Sequence, residues 1–225
     1  MSLPPFTFIS PSNIMLAGPS GSGKTRFLVR AFELGLFYPK PTRIVWVYGE
    51  SQQDHLRLDA LTDQGRLPSI EYLKNETNYE SLKEGFDPND TNLLVLDDQM
   101  NEAKSNSRHF DNIFTKGSHH RNITVVLLLQ NVFEKGFKTI SENMHYVFLF
   151  KNPRDQTQAE MVGRQMFPRT DSFVRDSFAD ATEEPYTYLL FDVHPTTPKE
   201  LRVLANVTAK HVTIYAPLKF NELKS

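Results

Sequence analysis

Gly18-Pro19-Ser20-Gly21-Ser22-Gly23-Lys24-Thr25 is the stretch that decides the fold. It fits G-x-x-x-x-G-K-T, the phosphate-binding P-loop. Before it runs Asn13-Ile14-Met15-Leu16-Ala17, a short apolar segment with the character of a buried strand. After it, Arg26 to Leu34 carries apolar residues at helical spacing. Strand, glycine-rich turn and helix is the context that separates a phosphate site from a chance match. The glycines let the chain curl so that backbone N–H groups point inward at phosphate oxygens. The following helix turns its positive pole toward the same anion.

Roles within this segment follow from the chemistry. Gly18, Pro19, Ser20, Gly21, Ser22, Gly23, Lys24, Thr25 and Arg26 line the predicted phosphate cradle. Lys24 is expected to meet the β- and γ-phosphates as a point charge. Thr25 is expected to offer its hydroxyl to Mg²⁺.

Outward from the loop, the chain alternates between strand-like and helix-like segments. Strands are expected at Arg43–Tyr48, Ser69–Leu73, Leu93–Asp98, Ile123–Gln130, Tyr146–Phe150 and Tyr186–Asp192. Helices are expected over Gln52–Leu61, Tyr79–Glu84, Arg108–Lys116, Phe137–Asn143, Asp155–Met166 and Asp171–Ala179. Residues 1–12 are Pro-rich and read as an extended lead, and Leu201–Pro217 holds two short candidate strands. Several strands are apolar throughout. The expectation is a single α/β domain over residues 1–225, a mainly parallel sheet with helices on both faces, and a C-terminal extension at 193–225. The phosphate site then lies at the C-terminal edge of the strands.

A P-loop binds nucleotide but does not choose a reaction. The choosing residues come later. Asp97 and Asp98 end an apolar strand in the Walker B manner, Asp97 to hold Mg²⁺ and Asp98 to orient or deprotonate the attacking water. Gln130 ends the next long strand, where its amide could bond the γ-phosphate or the lytic water, or simply close a turn. Arg121 starts that strand, roughly 25–30 Å from its far end at about 3.3 Å per residue. From there it could act only on a neighbouring subunit's nucleotide, as an arginine finger in trans, with Arg154 as runner-up. The plain alternative is a surface arginine.

Gly18–Thr25, Leu93–Asp98, Gly117-Ser118-His119-His120-Arg121-Asn122-Ile123, Leu128-Leu129-Gln130-Asn131 and Leu149-Phe150-Lys151-Asn152-Pro153-Arg154-Asp155 together resemble the DNA-packaging ATPases of Polinton/Maverick elements and adintoviruses. Those are similar to the poxvirus packaging ATPase, within the FtsK–HerA class of RecA-like P-loop NTPases. The resemblance covers about Asn13 to Pro168 and implies an ATP- and Mg²⁺-dependent motor. Its implied partners are double-stranded DNA, further copies of itself in a ring, and a capsid or portal-vertex protein. Many members of the class carry Asp-Glu where this chain has Asp97-Asp98, so the second carboxylate is one methylene shorter.

Composition sets limits on partners. The chain has 225 residues, 39% hydrophobic and 23% charged, with a formal charge of −2 and no cysteine. That is a globular composition without thiolate metal sites or disulfides. A net acidic chain must grip DNA through local cations, and Lys104, Arg108, Lys135 and Lys138 follow the two strands that end at the site. Met1–Phe6 lacks a secretory pattern and the apolar runs are too short to span a bilayer, so an intracellular place is expected; the resemblance implies that this place is at the capsid, in the nucleus or cytoplasm of a host cell. Two other readings stay open. A small-molecule or nucleotide kinase would need an acceptor pocket and an Arg lid from Arg164, Arg169 and Arg175. A nucleotide-binding assembly protein would turn over slowly whether or not DNA is present.

Overall fold

The computed structural model describes residues 5–49, 55–76, 78–97, 112–117, 121–132, 138–154, 157–167 and 171–217. In chain order the elements are β1 (Phe8–Ile9), β2 (Asn13–Ala17), α1 (Lys24–Leu34), β3 (Phe37–Tyr38), β4 (Arg43–Tyr48), α2 (His55–Asp63), β5 (Ile70–Lys74), α3 (Tyr79–Glu84) and β6 (Asn92–Asp97). A π-helical turn at Ile113–Gly117 precedes β7 (Ile123–Leu129), α4 (Lys138–Glu142), β8 (Tyr146–Phe150), α5 (Thr157–Met166), α6 (Asp171–Ala181), β9 (Tyr188–Asp192), β10 (Val203–Ala205) and β11 (Thr213–Tyr215). The expected helix at Arg108–Lys116 is thus a π turn where it is described. Its wide ring leaves the Phe114 carbonyl to accept from the Asn13 side chain, at 2.9 Å.

The main sheet has nine strands in the order β11-β10-β9-β8-β2-β7-β6-β4-β5. β8, β2, β7, β6, β4 and β5 run parallel. β9, β10 and β11 are antiparallel. The reversal at β9 has a simple cause. One helix carries the chain back across a sheet and gives a parallel strand. Two helices, α5 and α6, return it to the edge it left, so β9 enters from the other direction. The tail strands of the sequence reading are real, and they extend this same sheet.

Side chains alternate along each strand, and the alternation builds two cores. Ile14, Leu16, Trp46, Val95, Leu128 and Phe148 face α1 and α2. Met15, Val45, Leu94, Leu127 and Leu149 face the other way, toward α5, α6 and the π turn. The α/β class with helices on both faces is therefore as the sequence implied. The N-terminal lead is not simply extended. β1 pairs with β3 in parallel, Phe8 opposite Phe37, and both rings are buried. Phe6 and Phe8 cover Tyr146 edge-on, so this lead closes one end of the first core.

The start of β2 is fixed by Asn13, which is 1% exposed. Its amide donates to the carbonyls of Phe114 and Asn143, both at 2.9 Å. Asn13→Asp keeps the shape but replaces the donor with an acceptor facing two carbonyls. Urea unfolding of that variant should show a loss of about 2 kcal/mol or more. An unchanged midpoint would show that these bonds do not hold the strand.

Candidate functional site

β2, β7 and β6 end within one residue of one another. Ala17 pairs with Leu129, and Asp97 with Leu128. The loop leaving β2 is tied at once to its neighbour, since the Gly18 N–H donates to the Leu129 carbonyl at 3.1 Å. A cleft of about 410 Å³ opens over these ends. It is lined by the loop residues Ser20, Gly21, Gly23, Lys24, Thr25 and Arg26, and by Asp97, Gln130 and Tyr186. Residues far apart in the sequence, from the loop at Ser20 to Tyr186, thus converge on one site.

The loop itself needs two of its glycines for separate reasons. A Cβ on Gly18 would lie 2.7 Å from the Phe150 Cβ and 2.9 Å from the Ser22 hydroxyl. Gly23 caps α1 at φ 99°, left-handed backbone that a side chain disfavours. The Ser22 N–H donates to the Pro19 carbonyl at 3.1 Å, closing the inner turn. The Ser22 hydroxyl is buried without a hydrogen-bond partner among the described residues. The Lys24 ammonium donates to the carbonyls of Gly18 and Pro19, at 2.6 and 3.1 Å. It therefore sits across the mouth of the loop, where a phosphate chain would meet it.

Beneath the loop, aromatic rings wedge the start of α1 against the sheet. Phe27 lies 4.6 Å from Phe148 and 4.9 Å from Tyr188, ring centre to ring centre. Burial pushes the Tyr188 phenol above its ordinary pKa, so it stays neutral. This wedge sets the direction in which the first N–H groups of α1 point.

Asp97 is 4% exposed, two strands from the loop's own strand, or about 10 Å at ordinary strand spacing. A hydroxyl from Thr25 and a carboxylate from Asp97 in one cleft are hard oxygen donors of the kind Mg²⁺ takes. Among the described residues no group of three or more His, Asp or Glu could hold a metal. That donor set suits an ion shared with phosphates and water. Gln130 is exposed in the same cleft. Asp98, Lys104, Arg108 and Lys135 lie outside the described residues. Lys138 begins α4, and nothing is described of its side chain.

Arg121 is at the far end of β7 from Gln130, as its place in the sequence predicted. Its contacts, however, are with its own chain. Nη1 donates to the carbonyls of Glu84 and Phe86, at 3.0 and 3.1 Å, which satisfies the C-terminal end of α3. Its own carbonyl accepts from the buried Asn92 side chain at 2.9 Å. Arg121 is thus a capping residue here, and a reach across a subunit boundary would have to break both bonds. Arg154 is exposed in the turn after β8, on the cleft edge of the sheet.

Tyr186 was not singled out by sequence reasoning, which took it as the first residue of a strand. It lies in the turn before β9 at φ 64°, is 61% exposed, and lines the cleft beside Gly23. An aromatic next to Pro185 after two glutamates was the only signal of a turn there.

No protein-family model matches the sequence, and a search of curated proteins gives no match. Solved structures do match in fold. The genome packaging NTPase of Sulfolobus turreted icosahedral virus 2, solved with ATP-gammaS, is similar at 13% identity and TM-score 0.54, covering 92% of this chain and 97% of that one. EssC (ATPases 2 and 3) of Geobacillus thermodenitrificans is similar at 13% identity and TM-score 0.54, over 91% of this chain and 39% of that one. The cytoplasmic domain of the Type VII secretion ATPase EccC of Thermomonospora curvata is similar at 16% identity and TM-score 0.51, over 83% of this chain. This chain spans only 24% of that domain. The fold is that of the RecA-like P-loop NTPases.

If Arg121 caps α3, Arg121→Ala should lower stability by about 1–3 kcal/mol in chemical unfolding. Folded Arg121→Ala subunits should also keep the wild-type ATP turnover on their own, and mixing them with Lys24→Ala subunits should not raise it. Restored turnover in verified mixed assemblies would instead give Arg121 a role in trans.

Proposed function

We propose that this protein hydrolyses ATP in a Mg²⁺-dependent reaction and uses the energy to move double-stranded DNA, working as a homo-oligomeric ring. The observation that carries the reading is the strand register that sets the P-loop, Asp97 and Gln130 around one cleft. Lys24 and the loop N–H groups would bind and orient the triphosphate and offset its charge. Thr25 and Asp97 would hold Mg²⁺, which would supply positive charge to offset that of the phosphates. Asp98 would position and deprotonate the attacking water, and Gln130 would orient it or bond the γ-phosphate.

The finer reading is genome packaging into a viral capsid, at the capsid or portal vertex inside a host cell. Two things support it. The Gly117–Ile123 and Leu149–Asp155 motifs resemble those of the Polinton and adintovirus packaging ATPases. The fold also matches a viral genome packaging NTPase over nearly all of that chain. DNA would be gripped by Lys104, Arg108, Lys135 and Lys138, which follow β6 and β7 in the sequence. No helix among the described residues is long and apolar enough to cross a membrane.

Lys24→Ala and Asp97→Ala should each abolish Mg²⁺-dependent ATP hydrolysis, and Asp98→Asn should bind ATP yet turn it over slowly. Duplex DNA without a phosphoryl acceptor should raise the wild-type rate, with DNA affinity falling steeply as salt rises. Near wild-type turnover in Lys24→Ala would remove the ATPase assignment. Turnover that needs an acceptor and ignores DNA would favour a kinase.

A further inference from the structure

Tyr186 holds an aromatic ring in the open beside the nucleotide cleft, and among the described residues no ring-to-ring contact with another aromatic side chain engages it. The residue is 61% exposed and its backbone is left-handed at φ 64°. That conformation is disfavoured for a bulky side chain and persists only where the surroundings enforce it. Here they do. The Lys151 N–H donates to the Thr187 carbonyl at 3.0 Å, and the Lys151 ammonium donates to the Glu183 carbonyl. The Thr187 hydroxyl donates to the Glu184 carbonyl at 2.6 Å. Two residues on, Tyr188 is 7% exposed and packs on Phe27 and Phe150, with ring centres 4.9 and 5.3 Å away. The turn is therefore stapled on both sides of a residue whose ring stays in the open.

Position gives that ring a ligand. The Cβ of Tyr186 lies 3.3 Å, and its Cδ1 3.4 Å, from where a Cβ on Gly23 would stand. The side chain thus rises beside the N-terminus of α1, within the cleft lining. The cleft has two ends, set by the strand order β9-β8-β2-β7-β6. Asp97 and Gln130 stand on the β6 and β7 side of the loop strand. Tyr186 precedes β9, on the opposite side. A triphosphate in the loop with its terminal phosphate toward Asp97 and Gln130 directs its nucleoside toward Tyr186.

We propose that Tyr186 is the platform on which the nucleotide's base stacks; this rests on the nucleotide reading above. A phenol ring and a purine each present a flat π face, and stacking of this kind tolerates any base. The contact therefore supplies affinity for a nucleoside triphosphate and little choice between adenine and guanine. The hydroxyl is not needed for the stack.

The test compares ATP with inorganic tripolyphosphate, which has the phosphates but no base. Calorimetric titrations with Mg²⁺ would be run on the full chain, its Tyr186→Ala variant and its Tyr186→Phe variant. Tyr186→Ala should weaken ATP on the order of tenfold and leave tripolyphosphate unchanged. Tyr186→Phe should bind both as the wild type does, and GTP should follow ATP throughout. Unchanged ATP affinity in Tyr186→Ala would overturn the proposal. So would an equal loss for ATP and tripolyphosphate, since that would mean Tyr186 shapes the loop. If wild-type protein binds neither ligand, the P-loop assignment itself falls and this proposal falls with it.

Discussion

The site depends on the register of three parallel strands. Ala17 and Leu129 end β2 and β7 side by side, Asp97 ends β6 beside Leu128, and a slip of one residue would turn every side chain of the slipped strand to the other core. Both faces of these strands are buried, so such a slip would set each inward residue against the wrong layer of helices. The two cores therefore hold the register, and the register holds the acid opposite the loop. Function at the edge of the sheet is maintained by packing in its middle.

Loop geometry depends on a second constraint, the close approach of β8. The Phe150 Cβ leaves room for hydrogen and nothing larger on Gly18. The same strand contributes Phe148 and Phe150 to the aromatic wedge under α1. One strand thus shapes the loop from behind and sets the helix that follows it. Phosphate affinity in this cleft would come from backbone N–H groups whose directions are decided by hydrophobic contacts a few ångströms below them.

Much of this was legible because local chemistry and tertiary role coincide. Gly18 to Thr25 is a spacing with one common structural use, and Ile123–Leu129 is too continuously apolar to be anything but a buried element. Leu93–Leu96 ending in acid marks a strand that emerges into a polar cleft. Other features were illegible because they depend on distant partners. The lead through Phe8 is a strand only because Phe37 lies beside it. Arg121 caps α3 because the fold brings Glu84 and Phe86 to the start of β7, and nothing in the neighbouring sequence records that meeting. The direction of β9 follows from two intervening helices instead of one. The left-handed turn at Tyr186 arises from staples at Lys151 and Thr187, so its ring was read as the start of a strand.

The central claim is that one cleft binds a nucleoside triphosphate across the loop, with its reacting end at Asp97. A structure of the protein with Mg²⁺ and a non-hydrolysable ATP analogue tests this most directly. The expected density has the triphosphate within Gly18–Thr25, the ion between Thr25 and Asp97, the terminal phosphate toward Gln130 and the base on the Tyr186 side. A nucleotide bound outside the loop, or one reversed so that its base lies against Asp97, would contradict it.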